Sequence, residues 1–142
     1  MKRFTYIILT VLILFIGFSS CKKDDRIPYV PVNIQLSLNQ PEFQELKTPG
    51  NSVTISGGVR GIIVHCNYAD DYVAWERNCP HEPSNDSARI YIDSTGLFAV
   101  CKHCKSKFFL MDGSIVEGVA GQNLLQYNTY LENNILYISN QY

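Results

Sequence analysis

Two short clusters of soft ligands stand out in this chain. Residues 79–81 read Cys-Pro-His, and residues 101–104 read Cys-Lys-His-Cys. Thiolate and imidazole groups two or three residues apart bind one centre well, because a tight turn points both side chains inward. Two such turns, brought together by the fold, complete a four-ligand set of Cys79, His81, Cys101 and Cys104. Lys102, Lys105 and Lys107 flank the second turn, and their charge is expected to favour thiolates. In an oxidising compartment the same residues permit another outcome, a disulfide from Cys79 to Cys101 or Cys104. Spacing alone leaves metal and disulfide both open.

The elements that must position these turns read as β-strands. Short alternating segments rich in β-branched and aromatic residues recur between close turn signals: 32–38, 52–56, 60–66, 72–76, 89–93, 97–101 and 114–118. The C-terminal stretch 124–139 carries Asn133-Asn134 at an expected hairpin tip. Several strands at this spacing argue an all-β sandwich or small barrel. Only residues 39–50 suit a helical turn or two, with Phe43 and Leu46 three apart and Pro49-Gly50 ending it. Each ligand turn then follows a strand, where a loop can present side chains.

At this point the chain resembles the Rieske 2Fe-2S family, which reads Cys-x-His, a hairpin, Cys-x-x-His-Gly-Ser-x-Phe, and a later Gly-Pro-Ala. Cys79-Pro80-His81 matches the first turn and Cys101 the start of the second. Ser106, Phe108, Gly113, Gly118, Ala120, Leu124 and Tyr127 follow in register without a gap. The resemblance covers Val32 to Ser139. It implies a Rieske-like β-sandwich with a small cluster-binding subdomain on a larger base.

The chain departs from the family where the second histidine and its following glycine belong, with Cys104 and Lys105. The implied ligand set is three thiolates and one imidazole, Cys79 and Cys101 on the inner iron, His81 and Cys104 on the outer. His103 could swap in, but the spacing favours Cys104. Two histidines on one iron raise a Rieske potential from about −400 mV to between roughly −150 and +300 mV. A thiolate in place of one of them adds negative charge, so an intermediate to low potential is expected. The resemblance gives Ser106 the role of a hydroxyl that hydrogen-bonds sulfur. Phe108 can add no second hydroxyl bond, which lowers the expected potential further.

The implied function is electron transfer or redox sensing with an unidentified redox partner protein. No second domain for an organic substrate can be read, so a carrier is expected rather than a catalyst. The main rival is a non-redox protein in which the same ligands hold a structural Zn²⁺. It gains weight because exported Rieske proteins usually load their cluster before twin-arginine export, and this chain begins with Lys2-Arg3. A disulfide-bonded fold without metal is the third reading.

Lys2 and Arg3 precede an apolar run from Tyr6 to Phe18, then Ser19, Ser20 and Cys21, the outline of a secretory signal over residues 1–20. The run is shorter than the roughly 20 residues a membrane span needs. "GFSSC" resembles the lipobox of bacterial lipoproteins, implying lipid on Cys21, a membrane attachment and a cell-envelope location, with the outer membrane expected. Lys22-Lys23-Asp24-Asp25 resembles the export signal of Bacteroidetes surface lipoproteins. Residues 21–31, charged and punctuated by proline, read as a tether to the domain 32–142. Without the signal the chain keeps 10 basic and 13 acidic residues, a formal charge of −3. No basic stripe is present, which argues against nucleic acid. Cys66 is expected to be a buried structural thiol and His65 a surface or satisfied histidine. Trp75, Tyr91 and Phe98 fit core positions, and Glu82 and Asp86 form no recognisable acid–base pair.

Overall fold

A computed structural model describes residues 26–140. The expected signal and the expected lipidation site, Cys21, lie outside the described residues. Among those described, no helix is long and apolar enough to cross a membrane. The fold is all-β, with ten strands in two antiparallel sheets among the described residues.

The larger sheet runs in the order β1 (Asn33–Ser37), β10 (Ile135–Ser139), β9 (Gln126–Glu132), β4 (Asp71–Glu76), β3 (Ile62–Tyr68), β2 (Ser52–Ile55). The smaller sheet is β5 (Ile90–Ile92), β6 (Phe98–Cys101), β7 (Lys107–Phe109) and β8 (Ile115–Glu117). Strand β7 has no counterpart among the expected segments. It is three residues long and sits in a continuous apolar run, so alternation has no room to show. The helical stretch of residues 39–50 forms as a 3-10 helix, Pro41–Lys47.

Two-residue turns join the central hairpins. Asn133 and Asn134 take φ of 50° and 62°, the positive pair a primed hairpin turn needs. Asp70 takes φ 63° between β3 and β4.

Strands β3 and β4 are buried on both faces. Ile62, Val64, Cys66, Tyr72 and Ala74 point into the core of the larger sheet, where Leu36, Leu136, Ile138 and Leu46 of the 3-10 helix close over them. Ile63, Val73 and Trp75 point the other way, against Ile90, Ala99, Phe108 and Leu110 of the smaller sheet. A period-2 pattern therefore serves two cores at once. Tyr91 and Phe98, expected in the core, are half-buried instead and carry cations on their rings: Lys102 over Tyr91 at 4.5 Å and Lys107 over Phe98 at 4.0 Å.

Trp75 fastens the two sheets. Its ring is buried and its Nε1–H donates to the Leu110 carbonyl at 2.7 Å. Gly113 makes room for it: a Cβ there would lie 2.6 Å from the ring. Gly113 also holds φ at +70°. Gly113→Ala adds backbone strain and overpacking, so it is expected to destabilise the fold by about 2–4 kcal/mol, read as a lower midpoint in denaturant with an unchanged m-value.

Candidate metal centre

Both ligand turns are borne by the smaller sheet. The loop from Arg77 to Arg89 closes on itself through Cys79 N–H donating to Ala88 O at 3.0 Å and an isolated bridge between Asn78 and Arg89. The second turn is the tip of the β6–β7 hairpin, where Lys105 N–H donates to Cys101 O and Cys101 N–H to Ser106 O, each at 2.9 Å. Strand β5 pairs with β6, and Ile90 faces Cys101. That register sets the two loops side by side, although the cysteines lie far apart in sequence.

Cys79, Cys101 and Cys104 converge, with their three sulfurs all within 4.8 Å of one another. Cys79 Sγ and Cys104 Sγ are 3.6 Å apart, and both are free thiols, as are Cys101 and Cys66. Cys79 and Cys101 are fully buried, and Cys104 is half-buried at the mouth. His81 is half-buried beside them and its ring lies outside this tight group. Its backbone N–H is directed at Cys79 Sγ.

His103 turns away from the sulfurs. Its Nδ1 is 2.8 Å from Glu82 Oε2, and Asn85 Nδ2 lies 3.2 Å from its Nε2 and 2.9 Å from the Glu82 carboxylate. With its ring engaged by Glu82 and Asn85, His103 ties one cysteine loop to the other. Glu82, unpaired to a sequence reading, is its partner across the gap. Two of the flanking lysines also point elsewhere: Lys102 onto Tyr91, and Lys107 onto Phe98 and Asp93, 3.7 Å away. Lys105 holds φ at +63°, a left-handed backbone conformation that favours glycine.

Ser106 is the most constrained polar group here. It is fully buried, and its Oγ accepts the N–H groups of Val119 and Ala120 at 3.1 and 3.0 Å. In the thiol form Cys104 Sγ–H points at the same oxygen, 3.2 Å away; once that thiol ionises, the Ser106 hydroxyl proton is the hydrogen left between them and it serves the sulfur. Gly118 permits this approach: at φ +106°, a Cβ would fall 2.4 Å from Ser106 Cα and 2.7 Å from its Oγ.

Electrostatics separates the thiols. Burial pushes the Cys79 thiol well up, the His81 N–H recovers little of that, and the neighbouring Cys101 and Cys104 add to it. Burial opposes ionisation of Cys104 as well, but the Ser106 hydroxyl and N–H, with the other two thiols, outweigh it and bring Cys104 below its ordinary range. Three adjacent thiols, two of them fully buried, cannot all ionise without a cation, whereas a coordinating metal deprotonates them outright. The donor set thus fits a thiophilic metal centre.

The remaining sequence candidates have structural roles. Cys66 is buried with Sγ 3.1 Å from Tyr68 O, and buried His65 has Nδ1 2.7 Å from Ser52 Oγ. A group that the sequence reading missed is Glu76, fully buried at the end of β4. Its carboxylate accepts Val59 N–H (2.8 Å), Arg60 N–H (3.0 Å), Asn78 N–H (2.8 Å) and Tyr127 Oη–H (2.6 Å). The alternation of β4 was its only signal, placing Glu76 on the inward face with Tyr72 and Ala74.

Ser106→Ala removes the acceptor for two N–H groups and the oxygen in contact with Cys104 Sγ. It is expected to cost about 1–3 kcal/mol of stability and to speed amide exchange at Val119 and Ala120 while β3 and β4 stay protected.

No family model matches the sequence, and no curated protein matches it. Among solved structures, the ferredoxin of carbazole 1,9a-dioxygenase from Nocardioides aromaticivorans IC177 is similar at TM-score 0.49 and 15% identity, covering 80% of this chain and 100% of that one. A ferredoxin in complex with the reduced oxygenase of carbazole 1,9a-dioxygenase gives TM-score 0.48 and 13% identity, over 79% of this chain and 94% of that one. The E. coli protein NirD gives TM-score 0.43 and 18% identity, over 65% and 86%.

Proposed function

We propose that this protein is an electron carrier of the cell envelope that holds a Rieske-type 2Fe-2S cluster on Cys79, His81, Cys101 and Cys104. The observation that carries the reading is the convergence of three free thiols within 4.8 Å of one another, with the buried Ser106 hydroxyl oxygen 3.2 Å from Cys104 Sγ. Hydrogen bonds to sulfur tune iron–sulfur centres. When bound, the cluster supplies one-electron transfer.

The chain's own residues do the rest. Cys79 and Cys101 are withdrawn from water, while Cys104 and His81 are half-buried and mark the open side, where a redox partner protein would approach. The Glu82–His103–Asn85 contacts keep the two ligand loops in register. Three thiolates and one imidazole favour a lower potential than two thiolates and two imidazoles.

A specific observation supports a second reading, a single Zn²⁺. Tetrahedral ligation at about 2.3 Å per sulfur sets neighbouring sulfurs about 3.8 Å apart, close to the 3.6 Å between Cys79 and Cys104. Metal analysis with visible absorbance on protein purified without air separates the two. Iron, inorganic sulfide and an EPR signal on reduction are expected; a colourless protein with one zinc supports the second reading and rejects the first. In the iron form, Cys104→His is expected to raise the potential, and an unchanged value would remove Cys104 from the ligand set.

The membrane attachment belongs to the same proposal. Arg26 and Ile27 share a cleft with Pro80 and residues 122–126, beside the first ligand turn. Lipid on Cys21, five residues upstream, would hold that end within roughly 17 Å of chain from the bilayer. Cys21→Ala is expected to move the protein from the membrane fraction to the soluble one and to abolish incorporation of labelled palmitate; retention in the membrane with the label intact would reject lipidation at Cys21.

A further inference from the structure

Away from the sulfurs, the turn from Ser56 to Gly61 and the edge strand β2 form one wall of an open cleft of about 410 Å³. Arg77 and Arg89 line it from the other side, and Arg60 stands in the turn itself. Three guanidiniums on one small concavity are notable in a chain of formal charge −1.

Their partners are unequal. Arg60 is nearly enclosed, its side chain 9% exposed, with Nη2 on Asp86 at 3.0 Å and 3.5 Å from Pro83 O, while its Nε is buried without a hydrogen bond. Arg77 spends one donor, Nε, on Ile90 O at 3.0 Å and lies 5.2 Å from the Tyr91 ring centroid. It crosses Gly61, where a Cβ would sit 3.4 Å from both its Cδ and its Nη1. Arg89 makes no side-chain hydrogen bond or ion pair among the described residues.

The acids nearby do not balance these charges. Asp86 is engaged by Arg60, and Glu76, directly behind Gly58, has both oxygens filled by the four donors already described. Burial, and then the charge of Arg89, weaken the hold of Arg77 on its proton. Two like charges held together beside a glycine wall gain from an anion placed between them.

We propose that this cleft binds a small organic oxyanion, a phosphate- or carboxylate-bearing metabolite, through the forks of Arg77 and Arg89, with Thr54 and Ser56 on its rim. The cleft lies in the usual size range of small-molecule sites, roughly 300–1,000 Å³, and exceeds what one inorganic phosphate fills. The site stands independently of whatever the cysteines hold.

Titration of the purified protein with inorganic phosphate, pyrophosphate and citrate, at ionic strength fixed with chloride, tests this by thermal shift and calorimetry. Saturable binding of pyrophosphate or citrate is expected, tighter than that of phosphate, and which of the two binds better assigns the anion class. Arg89→Ala should weaken it about tenfold or more. Its side chain supports nothing else, so the ligand-free melting temperature should hold or rise. Arg89→Lys should restore binding only in part, and Lys47→Ala, on the 3-10 helix, should leave it unchanged. Responses that track ionic strength alone, or isotherms identical in Arg89→Ala, would overturn the proposal.

Discussion

Three thiol groups packed against one another, two of them fully buried, are the constraint around which the smaller sheet is organised. Burial favours keeping protons on them, and mutual repulsion forbids three unshielded thiolates. The chain meets this with local donors rather than nearby cations. The His81 N–H is aimed at Cys79, and the Ser106 hydroxyl and N–H serve Cys104. Lysines that seem to offer charge in sequence are drawn to aromatic faces instead. A bound cation would complete the charge on this set.

Holding that arrangement takes both sheets. The β5–β6 register brings the ligand loops together, and the Glu82–His103–Asn85 contacts join them at the surface. Such an exposed ion pair contributes only about 0–1 kcal/mol, so it sets register more than stability. The larger contribution comes from Trp75, buried between the cores, whose hydrogen bond to Leu110 O fixes the smaller sheet on its base. On the opposite side Glu76 and Tyr127 tie β4, β9 and the 57–61 turn into one buried network. That network fills the Glu76 carboxylate, and of the arginines in the adjacent cleft only Arg60 forms an ion pair among the described residues.

Much of this was legible before any coordinates. Alternation outlined nine of the ten strands because each is long enough, or clearly enough bounded by turns, to show its two faces. The tenth, Lys107–Phe109, is too short, with a cation on one side and apolar residues on the other. Tyr91 and Phe98 misled because an aromatic on a strand fits a core and a cation-covered surface equally well. Glu76 went unnoticed because a carboxylate at a strand end ordinarily faces solvent.

The sequence by itself determined the all-β character, the two ligand turns and the turn chemistry at Asn133-Asn134, since each depends on residues within a few positions of one another. Tertiary structure alone decided that Cys79 meets Cys104, that His103 serves Glu82 rather than the sulfurs, and that the Ser106 hydroxyl sits against Cys104 Sγ. It also decided that Arg60, Arg77 and Arg89 share one cleft. These are pairings between distant segments, set by strand register and by which groups burial leaves without water.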